Sequence, residues 1–365
     1  MLQNFNTLTT DVSWAKIDTY ESEALVLNIP FNQAVEFHEN AKNFIKAIVA
    51  RKAIFENKAG RPRDSVTFVN PHSIATMAHN EPTATLNPNI FSYRETTGVQ
   101  KFIQQFRDSG CTDIHVFGAA SQFNSTEAAE AFVPKCGFAH QFAQNDHTQG
   151  PAVQKENRKI FEVIGVAANF GLNSLSNVLN TELAYNALSN GYLMPNKEQL
   201  AAVVDCFIQN GDKMEVTCYH CDGVEVVLTA APATGYNPAK KSFDSNMNDR
   251  LEQNAAALAY SAQFNRYIEL LKANSDSEKR LVGHMTGVGL GVFANNPVAV
   301  ANGFKQAALQ FQQDLNQLDI DPNRVKVIYE VFTSDFYREN SSAMRFKTHL
   351  NLELNPHPNL DEFGD

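Results

Sequence analysis

Two stretches of this chain carry the residue types and spacing that chemistry would need. In the first, Gly118-Ala-Ala-Ser-Gln-Phe-Asn124-Ser-Thr-Glu127, two amides (Gln122 and Asn124) and an acid (Glu127) come directly after an apolar strand. Soon afterwards Asp146-His-Thr-Gln-Gly-Pro151 adds a second acid, His147, Thr148, Gln149 and a turn at Gly150. The end of a strand is where an α/β protein displays its ligand-binding groups. The second stretch is Gly287-Val-Gly-Leu-Gly-Val-Phe-Ala-Asn-Asn-Pro297, a glycine-alternating loop that opens into a helix. With Gly287, Gly289 and Gly291 at every second position, one side of the segment carries no side chain and a ligand can approach the backbone. Asn295 or Asn296 can cap the helix, and Pro297 suits its first turn. Free N–H groups and the positive end of the helix dipole then favour a diphosphate. The same glycines would also serve tight packing between a strand and a helix. The spacing is neither a Rossmann fingerprint nor a Walker loop.

The elements that must position these groups alternate. Apolar residues at helical intervals predict a helix over 31–57, ended by Gly60-Arg-Pro62, with a strand at Ser65–Val69. Residues 71–92 lack periodicity and read as an irregular loop. A helix over 97–109 and a strand over 113–117 follow, then a strand over 161–167 and a helix from Asn196 to about Gln209, stopped by Gly211. Residues 214–218 and 224–228 read as a hairpin around Asp222-Gly223. A helix over 251–273, a strand over 280–285, a helix over 297–318 and a strand over 325–332 complete the order. Such alternation indicates a mixed or mainly parallel sheet with helices on both faces. The stretch after Ser341 is polar and reads as a loosely held tail.

Composition bounds the possibilities. With 365 residues, 43% of them hydrophobic, the chain can bury one large core or one core with a smaller appended unit. A formal charge of -10 argues against a nucleic-acid partner, which needs a basic footprint. The five cysteines are an odd set without the density of a disulfide scaffold, so they read as reduced thiols. The N-terminus lacks a signal peptide's basic start and apolar core, and no run is long enough for a membrane span. A soluble protein in a reducing compartment, with no membrane partner, is expected. Cys218-Tyr-His-Cys221 has a CxxC spacing, but a zinc site needs about four ligands and no second pair appears. No metal and no cofactor are expected.

The order strand, glycine loop, Phe293, asparagine cap, helix, strand, with Val224 to Pro232 upstream, resembles the C-terminal half of a macrodomain, the α/β/α module that binds ADP-ribose. Ala120 to Asn124 with Glu127, then Asn145-Asp146 and Thr148 to Pro151, resemble the divergent macrodomain group that removes ADP-ribose from arginine and includes secreted bacterial effectors. Asn190-Gly-Tyr192 and Glu215-Val-Thr217 fit the same pattern, and the likeness spans about residues 95–335. The resemblance implies a three-layer α/β/α macrodomain over 61–340, with an N-terminal helical extension over 1–60 and a polar tail over 341–365. It implies that Asn124 contacts the distal ribose, with Gln122, Thr148, Gln149 and Gly150 also on the ligand. Gly287, Gly289, Gly291, Val292 and Asn295 would wrap the diphosphate, and Phe293 would pack near the distal ribose. Asp146 and Glu127 would sit closest to the anomeric carbon. An ADP-ribosylated protein substrate is implied, ubiquitin or another host protein by analogy with the effectors, as is export from a bacterial cytoplasm into a host cytosol. The triple-glycine loop and paired glutamates of poly(ADP-ribose) glycohydrolases are absent, so cleavage of the polymer is not expected.

Cleavage of an N-glycosidic bond passes through an oxocarbenium-like state, which a carboxylate can stabilise while activating water. Asp146 is the first candidate and Glu127 its partner. Alone, Asp146 reads equally as a turn residue and Glu127 as a first-turn helix acid. His147 is a further candidate base or an exposed loop histidine. Asp244 and Asp249 form a second acidic pair in a polar stretch, a solvated loop or part of the site. Tyr236 could stack on adenine or simply pack its loop. A reader that binds ADP-ribose without cleaving it, and an enzyme acting on free ADP-ribose derivatives, remain alternatives.

Overall fold

The computed structural model describes residues 65–77, 84–96, 112–121, 123, 181–189, 192–221, 224–291, 293–332 and 340–354. The expected helices over 31–57 and 97–109 and the strand over 161–167 lie outside them.

Eight strands form one mixed sheet: β1 (Ser65–Val69), β2 (Phe91–Thr96), β3 (Ile114–Ser121), β6 (Val216–Cys221), β7 (Val224–Ala230), β8 (Leu281–Met285), β9 (Val325–Phe332) and β10 (Glu353–Leu354), in the order β1-β6-β7-β3-β8-β9-β2-β10. From β7 through β10 every neighbouring pair is parallel. The β6–β7 pair is the expected antiparallel hairpin, and β1 runs antiparallel to β6 at the edge. All five residues of the central strand β8 are buried, the pattern of a parallel strand covered on both faces. Two short strands, β4 (Leu188–Ser189) and β5 (Tyr192–Leu193), pair separately. The fold is α/β, a mixed sheet flanked by helices, as the alternation predicts.

The helices are α1 (Glu182–Asn186), α2 (Lys197–Asn210), α3 (Ser245–Ala273), α4 (Pro297–Gln317) and α5 (Ser342–Leu350). A reciprocal capping box starts α2: Gln199 N–H donates to the Asn196 side chain at 2.8 Å and the Gln199 side chain accepts from Asn196 N–H at 2.9 Å. Helix α3 begins six residues before the apolar periodicity does, because Asp244 caps it by accepting from Met247 N–H at 3.1 Å. From Leu251 to Phe264 it is buried nearly all round, between the sheet and α4. The α3–α4 crossing is close enough that a Cβ on Gly303 would collide with the Gln253 carbonyl and lie 2.8 Å from Ala257 N. Around it Phe91, Phe264, Phe304 and Phe311 interlock, with Phe264 and Phe311 stacked at 4.8 Å. Each such ring contributes roughly 1.5–3 kcal/mol by burial.

Two expectations are corrected. Residues 91–96 form a strand where the irregular loop was expected to run to residue 92 and no strand was read; a buried Arg94 interrupts the apolar signature. The stretch after Ser341 is docked rather than loose as far as Leu354. Ser341 caps α5, Phe346 is fully buried against Phe304 (5.7 Å) and Tyr329 (4.7 Å), and β10 pairs with β2.

Arg94 belongs to a polar row on the sheet face turned away from α3. Gly283 faces Tyr267 of α3, so its neighbour His284 points to the opposite face. There Arg94 Nε donates to both Glu330 oxygens (3.0 and 2.9 Å) and Nη2 donates to Oε1 at 2.7 Å. His284 Nδ1 lies 2.8 Å from Glu330 Oε1 and 3.0 Å from Arg94 Nη2, and its Nε2 lies 2.9 Å from His115 Nδ1. Phe117 stacks on His284 at 4.3 Å. Burial, with His284 and Arg94 close by, lowers His115 to about 2, and burial also lowers His284. Burial opposes the Glu330 charge, but Arg94 and the hydrogen bonds hold the carboxyl below its usual range.

Two outcomes follow. Phe346→Ala should cost about 3 kcal/mol in denaturant unfolding, and a loss under about 1 kcal/mol would mean that α5 contributes little. The lowered histidines and Glu330 favour the fold fully above their unfolded values of about 6.5 and 4.3, and that stability is lost as pH falls toward their folded values. Melting temperature should therefore decline from about pH 6.5 downward, and a flat profile to about pH 4 would contradict the burial of neutral histidines.

Candidate functional site

Because β7, β3, β8 and β9 run parallel as neighbours, their carboxyl ends lie along one edge of the sheet. The loops after β7 and β8 thus flank the carboxyl end of β3, which itself includes Gly118 to Ser121, four residues past the strand end expected at 117. This is the crevice where open α/β sheets bind ligands. Phe123, just past β3, is buried. Gln122, Asn124, Glu127, Asp146, His147, Thr148, Gln149, Gly150 and Val292 lie outside the described residues.

The glycine loop is present where expected, but its three glycines have different reasons to be glycine. Gly289 has φ +78°, and a Cβ there would collide with Asn295 Oδ1 and sit 2.7 Å from Ala231 Cβ. A Cβ on Gly287 would lie 2.5 Å from Leu290 Cδ1 and 2.9 Å from the Tyr329 hydroxyl. Both glycines therefore serve the protein's own packing. Only Gly291 is exposed, and a methyl group added there would meet nothing within 4 Å, which leaves open space for a ligand.

The loop's own hydrogen bonds decide which donors remain. Leu290 N–H donates to Gly287 O (3.1 Å), Ala294 N–H to Gly291 O (2.9 Å) and Asn295 N–H to Gly289 O (3.0 Å). Val288 N–H donates to the Tyr260 hydroxyl (3.0 Å), which donates to Thr286 O (2.9 Å). Among the described residues, the N–H groups of Gly289, Gly291 and Phe293 have no hydrogen-bond partner. Backbone N–H groups left without an internal acceptor can serve an anion.

The helix end contributes less than expected. Asn296, not Asn295, is the cap, its Oδ1 accepting from Val298 N–H at 3.1 Å. Asn295 is buried, its amide donating to Pro232 O (2.9 Å) and the Thr234 hydroxyl (2.8 Å). Asn296 N–H donates to Glu252 Oε2 at 2.6 Å, so the first donors of α4 are already spent inside the protein.

Beside the loop stand three aromatic rings: Tyr192, Tyr236 and Phe293, with centroids 5.6 Å (Tyr192–Phe293), 6.0 Å (Tyr236–Phe293) and 6.5 Å (Tyr192–Tyr236) apart. Tyr236 is 55% exposed, so it offers a face rather than only packing its loop. The Phe293 carbonyl accepts from Gly235 N–H at 2.6 Å, joining the two loops.

Neither a family model nor a curated protein matches the chain. Solved structures do. The chain is similar to poly(ADP-ribose) glycohydrolase from Thermomonospora curvata (12% identity, TM-score 0.37, 88% of this chain and 98% of that one). It is also similar to poly(ADP-ribose) glycohydrolase from Deinococcus radiodurans in complex with ADP-ribose (11% identity, TM-score 0.35, 78% and 94%). A third is the Trypanosoma brucei macrodomain in complex with ADP (10% identity, TM-score 0.31, 92% and 94%).

The second acidic pair is not a loop pair. Asp244 caps α3, and Asp249, inside that helix, accepts from Asn296 Nδ2 at 3.1 Å and so braces the cap of α4. Cys218 is a fully buried residue of β6 whose thiol burial pushes up. Among the described residues no three His, Cys, Asp or Glu side chains gather to hold a metal, and no helix is long and apolar enough to cross a membrane. Sequence reading missed Glu252, Thr234 and Tyr260, which hold the loop. A glutamate shortly before the alanine run 255–257 was the one available signal.

Gly289→Ala should lose about 2 kcal/mol or more in denaturant unfolding, from a disfavoured φ and a collision. Gly291→Ala should stay within about 0.5 kcal/mol of wild type; equal losses at both positions would refute the different roles assigned to them.

Proposed function

We propose that this protein is a macrodomain-type ADP-ribosyl hydrolase that removes mono-ADP-ribose from a protein arginine. The observation that carries the reading is that the N–H groups of Gly289, Gly291 and Phe293 have no hydrogen-bond partner among the described residues, beside the open face of Gly291 at the carboxyl edge of the parallel strands. Three backbone donors bind an anion without net positive charge, which suits a diphosphate in an acidic chain. The motifs at 118–127 and 145–151 supply the remaining ligand contacts by resemblance.

In this reading Asn124 holds the distal ribose and Phe293 packs beside it. Tyr236, 6.0 Å from Phe293, then serves that same end of the ligand. Adenine lies at the other end of the extended molecule, so Tyr236 is assigned to the distal ribose and to neither of the two roles its sequence position left open, adenine stacking or loop packing. Asp146 activates a water and stabilises the oxocarbenium-like charge, with Glu127 orienting the ribose hydroxyls. The water oxygen bonds to the anomeric carbon, the bond to the guanidine nitrogen breaks, and a proton goes to the departing guanidine.

Calorimetry should show ADP-ribose binding that Gly291→Ala weakens by about tenfold or more, since a methyl enters the space the diphosphate would fill. Wild-type protein should release ADP-ribose from arginine-ADP-ribosylated ubiquitin, while Asp146→Ala should lose release by about a hundredfold and keep binding. No binding at millimolar ADP-ribose would overturn the reading. Binding without release from any modified protein would leave a non-catalytic ADP-ribose reader.

A further inference from the structure

Glu252 is buried in α3 and yet accepts from three separate parts of the chain. Its Oε2 takes the Asn296 N–H at the start of α4 (2.6 Å). Its Oε1 takes the Thr234 hydroxyl (2.9 Å) and the Asn248 amide (2.8 Å). Thr234 in turn accepts from Asn295 (2.8 Å). One carboxylate thus ties α3, the loop after β7 and the glycine loop together. It also lies at the positive end of α4, the same field that would favour a bound diphosphate.

Resting on the diphosphate-binding reading above, we propose that Glu252 is the positioning residue of the glycine loop and takes up a proton when the diphosphate binds. Two negative charges at one helix end oppose each other, and neutralising the buried one relieves this. The network can accommodate that proton. The bond from Asn296 N–H needs only an oxygen lone pair, which the neutral acid keeps on Oε2. On the other side, Asn248 Oδ1 is buried with no hydrogen-bond partner among the described residues. A half-turn of that amide lets it accept from a protonated Oε1, while Thr234 redirects its hydroxyl to Phe293 O, 3.0 Å away. Burial already raises the Glu252 carboxyl, partly offset by its hydrogen bonds. The charged groups around it are Lys240, whose ammonium donates to Ala294 O at 3.4 Å, Asp249, bound to Asn296, and Asp244, the cap of α3.

The test is calorimetry of ADP-ribose against wild type, Glu252→Gln and Glu252→Ala between about pH 5 and 8, in buffers of different ionisation heat. Wild type should bind more tightly as pH falls, with net proton uptake. Glu252→Gln keeps the Asn296 bond and lacks the charge, so it should bind about two- to fivefold more tightly at neutral pH, with a shallower pH slope. Glu252→Ala, which orphans the Asn296 N–H, should bind about tenfold more weakly. A purely structural glutamate would leave the pH slope of Glu252→Gln equal to that of wild type, and that result would overturn the proposal. So would binding by Glu252→Gln as weak as that of Glu252→Ala. Absence of any wild-type binding would instead fail the ligand assignment itself.

Discussion

The close crossing of α3 and α4 at Gly303 is the contact on which the site's geometry depends. With no side chain at that position, the α4 backbone rests against Gln253 and Ala257 of α3. Glu252 is the neighbour of Gln253, so the crossing also brings the start of α4 within reach of the Glu252 carboxylate. A larger residue at Gly303 would move the helix end, and with it the loop that leads from β8. Packing between two helices therefore sets the position of a loop well over a turn away along α4.

That loop is balanced electrostatically as well as sterically. The N-terminus of α4 is not left as a bare dipole, because Asn296 caps it and Glu252 takes the next donor. The donors left to meet an anion in such an arrangement are those of the loop backbone, while the helix adds only the field of its positive end. Another buried ionic centre, Arg94 with Glu330, sits on the other sheet face and has no part in this balance. It fixes the register of β2 against β9, where the two residues are direct partners.

Much of this was legible in the sequence wherever the signal is local. The bounds of β1 and β9, the caps of α2 and α4, and the position of the glycine loop follow from periodicity and from Asn, Gly and Pro at the ends. What was not legible depends on partners distant in the chain. Arg94 hides β2 because its counter-charge is 236 residues away. Helix α5 looks polar until Phe346 meets Phe304 and Tyr329. The glycines at 287 and 289 read as openings for a ligand, whereas Leu290, Tyr329, Asn295 and Ala231 occupy that space. Glu252 carries no motif, since its meaning comes entirely from Thr234 and Asn296.

The order of the strands has a consequence for association between molecules. The sheet's outer positions are taken by β1 and β10, its first and last strands in the described chain, while the strands between them have neighbours on both sides. Unpaired strand edges are templates for joining sheets of separate molecules. Here β10 is only two residues long and ends in an exposed Leu354, so it blunts that edge with little hydrogen-bonding surface of its own. A segment that reads as a polar tail thus lies as a short outer strand over β2, directly after the helix that Phe346 anchors.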